Sequence, residues 1–107
     1  MNELSEYLEG QKEWSLRTFG DGKRTLGIIK HIGKELDEVM ADPSDSCEWI
    51  DIIILALDGY WRHSGSIELI MQNLINKQRI NFQRVYPKPE SEDEATEHER
   101  HIYDKEG

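Results

Sequence analysis

The sequence predicts an all-α protein with four main helices. Three chain breaks support this prediction: a stretch rich in glycine and charge at 17–25, a turn containing Pro43 at 41–46, and the pair Gly65-Ser66. Between these breaks apolar residues recur with the spacing of a buried helix face, and no segment shows the alternation of a strand. The expected helices cover residues 2–16, 25–40, 47–63 and 67–85.

The first two helices are predicted to be amphipathic. Along the first, Leu4, Tyr7, Leu8 and Trp14 form a weak apolar stripe, and Gly10 lowers the helix propensity in the middle. The second follows a loop and carries a stronger stripe. Its inward-facing residues are expected to be Ile28, Ile29, Ile32, Leu36 and Val39.

The third helix is the most apolar of the four. Between residues 49 and 57 its only ionisable side chain is Asp51, a composition typical of a helix that is buried on most sides. One small domain offers little cover for such a helix, so we expect a homo-oligomer. The fourth helix ends before Pro87, because the position before a proline resists helix. Its inward-facing residues are expected to be Leu69, Ile70, Leu74 and Ile75.

Length and charge limit the function. The 107 residues fit a single domain, expected to span 1–89, followed by an acidic tail at 90–107 with eight acidic and two basic residues. The tail either stays extended or forms a short helix at 95–102. The net charge of −9 argues against binding to nucleic acid or to an anionic membrane. The single cysteine and the lack of a visible signal peptide favour a cytoplasmic protein.

Two acidic pairs are the strongest chemical signal in the chain. Glu35 and Glu38 lie three residues apart on the second helix, and Glu48 and Asp51 have the same spacing on the third. Each pair therefore places two carboxylates on one helix face, and two facing helices would form a cage of four. Hard divalent cations such as Mg²⁺ or Mn²⁺ prefer oxygen ligands of this kind. Helix capping by Asp45 and Glu48 is the simpler alternative, but it explains only one of the four acids.

Three further groups border these carboxylates or complement them. Asp58 lies two turns beyond Asp51, on the same stripe of an otherwise apolar helix. His31 precedes Glu35 by one turn, where it would order a carboxylate, contact phosphate or simply be solvated. Near the end of the fourth helix, one stripe carries basic and amide side chains that would either complement the helix dipole or grip phosphates. These residues are Lys77, Asn81 and Arg84.

The ordered set of motifs resembles a known family. E-x-x-E followed by E-x-x-D on two helices is similar to the MazG-like all-α nucleoside triphosphate pyrophosphohydrolases. The similarity is greatest to the dATP/dGTP pyrophosphohydrolase branch, which includes the phage MazZ enzymes, and it covers nearly the whole chain. The matching blocks are Thr18-Phe19-Gly20, Arg24-Thr25, His31-Ile32, Lys34-Glu35-Leu36, Pro43, Glu48-Trp49-Ile50-Asp51, Leu55-Ala56-Leu57-Asp58-Gly59, Trp61-Arg62, Lys77, Asn81, Arg84, Pro87 and Glu97-His98.

The resemblance implies hydrolysis of dGTP or dATP between the α- and β-phosphates. It implies a MazG-like bundle, a dimer or a dimer-of-dimers tetramer, two or three Mg²⁺ or Mn²⁺ ions, and, for a phage protein, a location in the host cytoplasm. Carried over by motif position, Glu35, Glu38, Glu48 and Asp51 would hold the metal, and Glu35 or Glu38 would act as the base. The implied substrate contacts are Lys34, His31, Lys77, Asn81, Arg84, Asp58 and Trp14, with Phe19 as a second stacking residue.

One departure from the general pattern concerns Lys34. MazG-like sequences open the first motif with two adjacent glutamates, and here the first position is a lysine. The nearer branch resembles this chain in having lysine there. The change puts a general-base role for that position in doubt and leaves the four ligands intact.

Other functions remain open at this point. A related enzyme for a pyrimidine nucleotide or for phosphoribosyl-ATP would carry the same carboxylates. A carboxylate-bridged di-iron or metal-storage bundle typically needs E-x-x-H pairs, and neither acidic pair ends in histidine. A third alternative is a non-catalytic helical oligomer that binds metal or acts as a scaffold for a partner. The base preference and the biological role, either pool sanitation or supply of dGMP, are not determined by the sequence.

Overall fold

The computed structural model describes residues 2–98 and contains helices as its only regular secondary structure there. This confirms the predicted all-α class and the number of main helices. In chain order the helices are α1 (Glu3–Phe19), α2 (Thr25–Ala41), α3 (Cys47–Arg62) and α4 (Ile70–Gln83).

Local chemistry explains three of the helix ends. The Asn2 side chain accepts a hydrogen bond from the backbone N–H of Ser5 at 2.8 Å and so caps the start of α1. Helix α1 ends at Gly20, whose φ of +84° suits glycine. The predicted end at residue 16 was too early because the glycine, not the preceding polar residues, stops the helix. Asp45 accepts from the N–H of Cys47 at 2.9 Å at the start of α3.

Helix α4 begins three residues later than predicted. Residues Ser66 to Leu69 form tight turns, in which the N–H of Leu69 bonds to the carbonyl of Ser66 and that of Ile70 to Ile67. These bonds span three residues and do not continue the α-helical pattern. Ile67 and Ile70 are three residues apart, a spacing that also suits a helix. In the structure they belong to a turn that buries both side chains in the core.

The chain forms two compact units, residues 1–70 and 71–107. In the first unit, α3 packs against both α1 and α2, with the larger contact on α2. Its core joins the N-terminal half of α1 to the end of α3 and the turn that follows. The core consists of Leu8, Trp61, Ile67 and Ile70, with Leu4, Leu57 and Tyr60 packed against it.

The predicted burial of α2 and α3 was only partly right. Ile28 is buried, but Ile29 and Leu36 are 58% and 45% exposed in the single chain. On α3, Trp49, Ile50 and Ile53 are each more than half exposed. Helical periodicity identified which residues are apolar, but one copy of this chain supplies too little surface to cover them.

The C-terminal residues are only partly described. Residues 95–98, where a short tail helix would begin, have no regular secondary structure, and 99–102 lie outside the described residues. The predicted division into 1–89 and 90–107 stays a prediction. Across residues 2–98, no helix has the length and apolar character needed to cross a membrane.

Candidate metal centre and adjoining cavity

Three carboxylates meet where α2 packs against α3. Glu35 and Glu38 project from α2 and Glu48 from the first turn of α3. One oxygen of each lies within 4.8 Å of the other two. The spacing of three residues on α2 places both glutamates on the face that meets α3, as the sequence predicted.

This cluster is partly buried, and two of its oxygens have no hydrogen-bond donor in the described part of the chain. Glu35 is only 9% exposed. Its Oε2 atom and the Oε2 atom of Glu48 are buried, and neither has a hydrogen-bond partner in the described part of the chain. Buried polar atoms are normally paired, and unpaired carboxylate oxygens are costly. A bound cation would satisfy both oxygens, and carboxylate oxygens are ligands that Mg²⁺ and Mn²⁺ prefer. The residues therefore fit the implied metal.

Hydrogen bonding within the cluster shifts two pKa values in opposite directions. The hydrogen bond that Glu48 shares with Glu38, together with the neighbouring Glu35, raises the pKa of Glu48 from 4.5 to about 7. The same bond lowers the pKa of Glu38, with smaller contributions from Glu35 and from the positive charges of Lys34 and His31. In the metal-free protein a proton therefore bridges Glu48 and Glu38 at mildly acidic pH.

His31 and Lys34 lie beside the cluster. The Nε2 atom of His31 is 3.4 Å from Oε1 of Glu35, one turn away on α2. Lys34 is exposed and adds positive charge next to Glu38. The predicted contact of His31 with a carboxylate is present, whereas contacts of either side chain with substrate stay predictions.

Asp51 lies outside the group of three. It is exposed in the single chain and lines a neighbouring cavity together with Glu35 and His31. The fourth carboxylate is thus near the cluster, and its role as a metal ligand stays a prediction.

The cavity extends from the cluster toward α1. It has a volume of about 230 Å³, below the roughly 300–1,000 Å³ of pockets for drug-sized ligands. Trp14, Phe19 and Arg24 form one wall. Trp14 and Phe19 meet edge to face with ring centroids 5.5 Å apart, and the Arg24 guanidinium lies 4.6 Å from the Phe19 ring. The Trp14 side chain therefore borders the cavity, where the base of a bound nucleotide could stack on it. The predicted stacking requires this position.

A buried polar network lies behind this cavity. Asp58 is 5% exposed and accepts hydrogen bonds from Gln11 at 3.1 Å and from Ser15 at 2.5 Å. Its other oxygen pairs with Arg62, one turn along α3. The Gln11 side chain also accepts from the indole N–H of Trp61 at 2.7 Å. Asp58 lines the cavity, but these partners hold its carboxylate.

The predicted phosphate-binding residues belong to the second unit. Lys77 and Asn81 lie on α4, and Arg84 follows its last residue. The Arg84 guanidinium donates to the side-chain oxygen of Asn81 at 3.3 Å, so these two do share one face. Their contact with a nucleotide stays a prediction.

Sequence reasoning missed Gln11, Ser15 and Arg62. A signal for the last was present, because Asp58 and Arg62 are opposite charges one turn apart in an apolar helix. Gln11 and Ser15 have the same spacing on α1, where they continue the inward stripe of Leu4 and Leu8. Gln11 and Ser15 face Asp58 and Arg62 because α1 packs on α3. The sequence alone does not specify this packing.

These features define a class of protein: an all-helical domain with a carboxylate cluster suited to a divalent cation, next to a cavity walled by aromatic rings. Comparison with known families is more specific. The dATP/dGTP pyrophosphohydrolase family matches residues 7–105, and the chain belongs to that family.

A curated relative extends this comparison. The Eaa protein of Salmonella phage P22 is 44% identical to this chain over 77 residues. The match covers 72% of this chain and 24% of the relative, so it corresponds to about a quarter of the phage protein. No solved structure matches the chain significantly.

The pKa of Glu48 makes metal binding and stability depend on pH. Mn²⁺ must displace the shared proton, so we expect its affinity to rise about tenfold per pH unit up to about 7 and then level off. Without metal, the raised pKa of Glu48 contributes stability that is fully present below 4.5 and is lost as the pH rises through about 7, whereas the lowered pKa of Glu38 contributes stability that is lost as the pH falls. Calorimetric titration with Mn²⁺ and melting curves across this range measure both effects.

The variant Glu48→Gln tests whether the Glu48 carboxyl causes both pH effects. The variant should lose the pH-dependent fall in melting temperature and should bind Mn²⁺ weakly at every pH. Asp37→Asn, an exposed acid on α2 next in sequence to Glu38, is the matched control and should behave like the wild type. Metal binding by wild type that does not vary between pH 5 and 7 would contradict the shared proton.

Proposed function

We propose that this chain hydrolyses the purine deoxynucleoside triphosphates dGTP, dATP or both at the α–β phosphate bond, in a metal-dependent reaction. The products would be the monophosphate and pyrophosphate. The observation that carries the proposal is the cluster of Glu35, Glu38 and Glu48 beside an aromatic-walled cavity, in a chain of the dATP/dGTP pyrophosphohydrolase family.

The carboxylates would hold Mg²⁺ or Mn²⁺, in two or three positions, with Asp51 as the fourth ligand. When bound, such ions neutralise phosphate charge and make a coordinated water more acidic. The donor-free oxygens of Glu35 and Glu48 support this assignment. Glu35 or Glu38, whichever carboxylate the metal leaves free, would take the proton of the attacking water.

The cavity would receive the nucleoside. Trp14 or Phe19 would stack on the base, because aromatic faces bind flat rings with little dependence on sequence. His31 lines the cavity near Glu35 and would contact the phosphates, with Lys34 adding positive charge. Asp58 would reach the sugar or act through its hydrogen-bond partners. Lys77, Asn81 and Arg84 would grip phosphate oxygens, an assignment that follows from their match to the family's basic helix.

The protein would act as a homodimer or a tetramer. Trp49, Ile50 and Ile53 form an exposed apolar face on α3, and surfaces of this kind mark interaction sites. Light scattering on the purified protein tests this proposal. We expect at least twice the chain mass of 12.5 kDa, and a monomer at that mass would overturn it.

The phage relative supports a place in the cytoplasm of an infected host. There the reaction would either clear dATP or supply dGMP for the synthesis of a modified purine. A panel of substrates separates these two roles, since the first requires turnover of dATP and the second turnover of dGTP.

The decisive assay incubates the protein with each common NTP and dNTP, with Mg²⁺, with Mn²⁺ and with a chelator. We expect dGMP or dAMP together with pyrophosphate, resolved by ion exchange, and no product with chelator. Glu48→Gln should reduce kcat at least about a hundredfold, since loss of a ligand weakens both metal binding and charge stabilisation. Asp37→Asn should retain wild-type activity.

Each other outcome has a defined meaning. If only pyrimidine nucleotides give a monophosphate, the proposed metal site is retained and the proposed purine substrate is rejected. Diphosphate with orthophosphate would contradict cleavage at the α–β bond. Turnover of no nucleotide, with retained Mn²⁺ binding, would leave a metal-binding helical protein and reject the enzyme.

A further inference from the structure

We propose that Arg62, held by Asp58, is a positioning residue that fixes the connection between α1 and α2 and thereby the aromatic wall of the nucleotide cavity. This inference rests on the proposed function. It concerns two residues whose buried hydrogen bonds reach α1 and the α1–α2 connection.

Arg62 uses its whole guanidinium group. Its Nη1 atom donates to the carbonyl oxygens of Gly20 at 2.9 Å and Gly22 at 2.8 Å. Its Nη2 atom donates to the carbonyl and the hydroxyl of Ser15 at 3.4 and 2.9 Å, and Nε donates to Asp58. An arginine has five N–H donors, and all five have acceptors here. The side chain is almost completely buried, at 1% exposure.

The connection that Arg62 holds has an irregular backbone. Gly20 and Gly22 have φ values of +84° and +94°, and Arg24 adopts a left-handed conformation at +49°. A non-glycine residue is uncommon in that region and is held there by its surroundings. Two carbonyls of this short segment accept hydrogen bonds from a single side chain of α3. The segment is therefore fixed by Arg62 from the side that faces the protein interior.

The same segment carries the cavity wall. Phe19 is the last residue of α1, directly before Gly20, and Arg24 is the last residue before α2. The Arg24 guanidinium lies over the Phe19 ring, and Phe19 meets Trp14 edge to face. All three side chains line the cavity. A change in the backbone at Gly20 or Gly22 would therefore move the surface on which the base is proposed to stack.

Asp58 makes this arrangement possible in a buried place. A buried guanidinium needs an opposite charge, and Asp58 supplies it one turn away on α3. The Asp58 carboxylate also accepts from Gln11 and Ser15 of α1. The pair thus ties α3, α1 and the connection together, and it sets where the nucleoside side of the cavity lies relative to the carboxylate cluster on α2 and α3.

The test compares Arg62→Lys with Ser15→Ala and with the control Lys30→Arg, an exposed residue of α2. Lysine keeps the charge but has too few donors, in the wrong geometry, to bond both glycine carbonyls and Ser15. We expect KM for the hydrolysed deoxynucleotide to rise at least about tenfold, with kcat within about threefold, because binding of the base is weakened and the chemistry is not. Ser15→Ala should shift KM in the same direction by less.

Two further measurements separate positioning from a general loss of structure. Inorganic tripolyphosphate has no base, so its inhibition constant should be unchanged in Arg62→Lys. Hydrogen exchange should accelerate at the amides of residues 20–24 and stay unchanged along residues 47–57 of α3. A loss of folding would instead affect every substrate and every segment.

The contrary results are equally specific. An unchanged KM in a folded Arg62→Lys variant would overturn the inference, as would an equal weakening of tripolyphosphate binding or a fall in kcat alone. If Arg62→Lys does not fold, Ser15→Ala decides by the same criteria. If the wild type hydrolyses no nucleotide, the proposed function fails. The inference is then decided by the dissociation constants of dGTP and tripolyphosphate, measured by calorimetry with Mn²⁺.

Discussion

The repulsion among three carboxylates is the constraint on which the first unit depends. Glu35, Glu38 and Glu48 approach within 4.8 Å, and hydrogen bonding to Glu38 and Glu35, with burial and repulsion in addition, raises the pKa of Glu48 to about 7. The packing of α2 on α3 forces the acids together, so part of the energy of that contact opposes the repulsion. A site of this kind is typical of function, because structure alone gains nothing from it. A bound divalent cation would replace the repulsion among the three carboxylates by attraction to the metal. The contact between α2 and α3 would then be stabilised.

Helix α3 connects this cluster to the rest of the unit. Its first turn supplies Glu48, its middle lines the cavity, and its last turn supplies Asp58, Trp61 and Arg62. The polar contacts at the last turn are buried and specific, whereas its outward face carries Trp49 and other apolar residues in the open. Helix α3 therefore carries one of the three carboxylates, the arginine that holds the α1–α2 connection, and the surface proposed for a second subunit. This explains why its sequence is both apolar and interrupted by acids at fixed spacing.

Much of the fold could be predicted from the sequence because its signals are local. Glycine at 20, Pro43 and the turn near Gly65 separate the helices, and the spacing of the glutamates places their side chains on one face. Contacts such as Ser15 to Asp58 join residues 43 apart, and no local pattern specifies that pairing. The burial of apolar residues on α2 and α3 was overestimated for the same reason. Apolar periodicity identifies the face of a helix that is expected to be buried but not the surface that packs against it. The place of Asp51 also depends on the exact rotation of α3, which spacing alone does not set.

The most direct test of the central claim is to locate the metal. Crystals grown with Mn²⁺ allow anomalous scattering to place the ion independently of any assay. We predict a peak bounded by carboxylate oxygens of Glu35, Glu38 and Glu48, at about 2.0–2.3 Å from its ligands as hard cations require, and no such peak in Glu48→Gln. Strong anomalous density elsewhere in the protein, with this cluster empty at saturating Mn²⁺, would contradict the account.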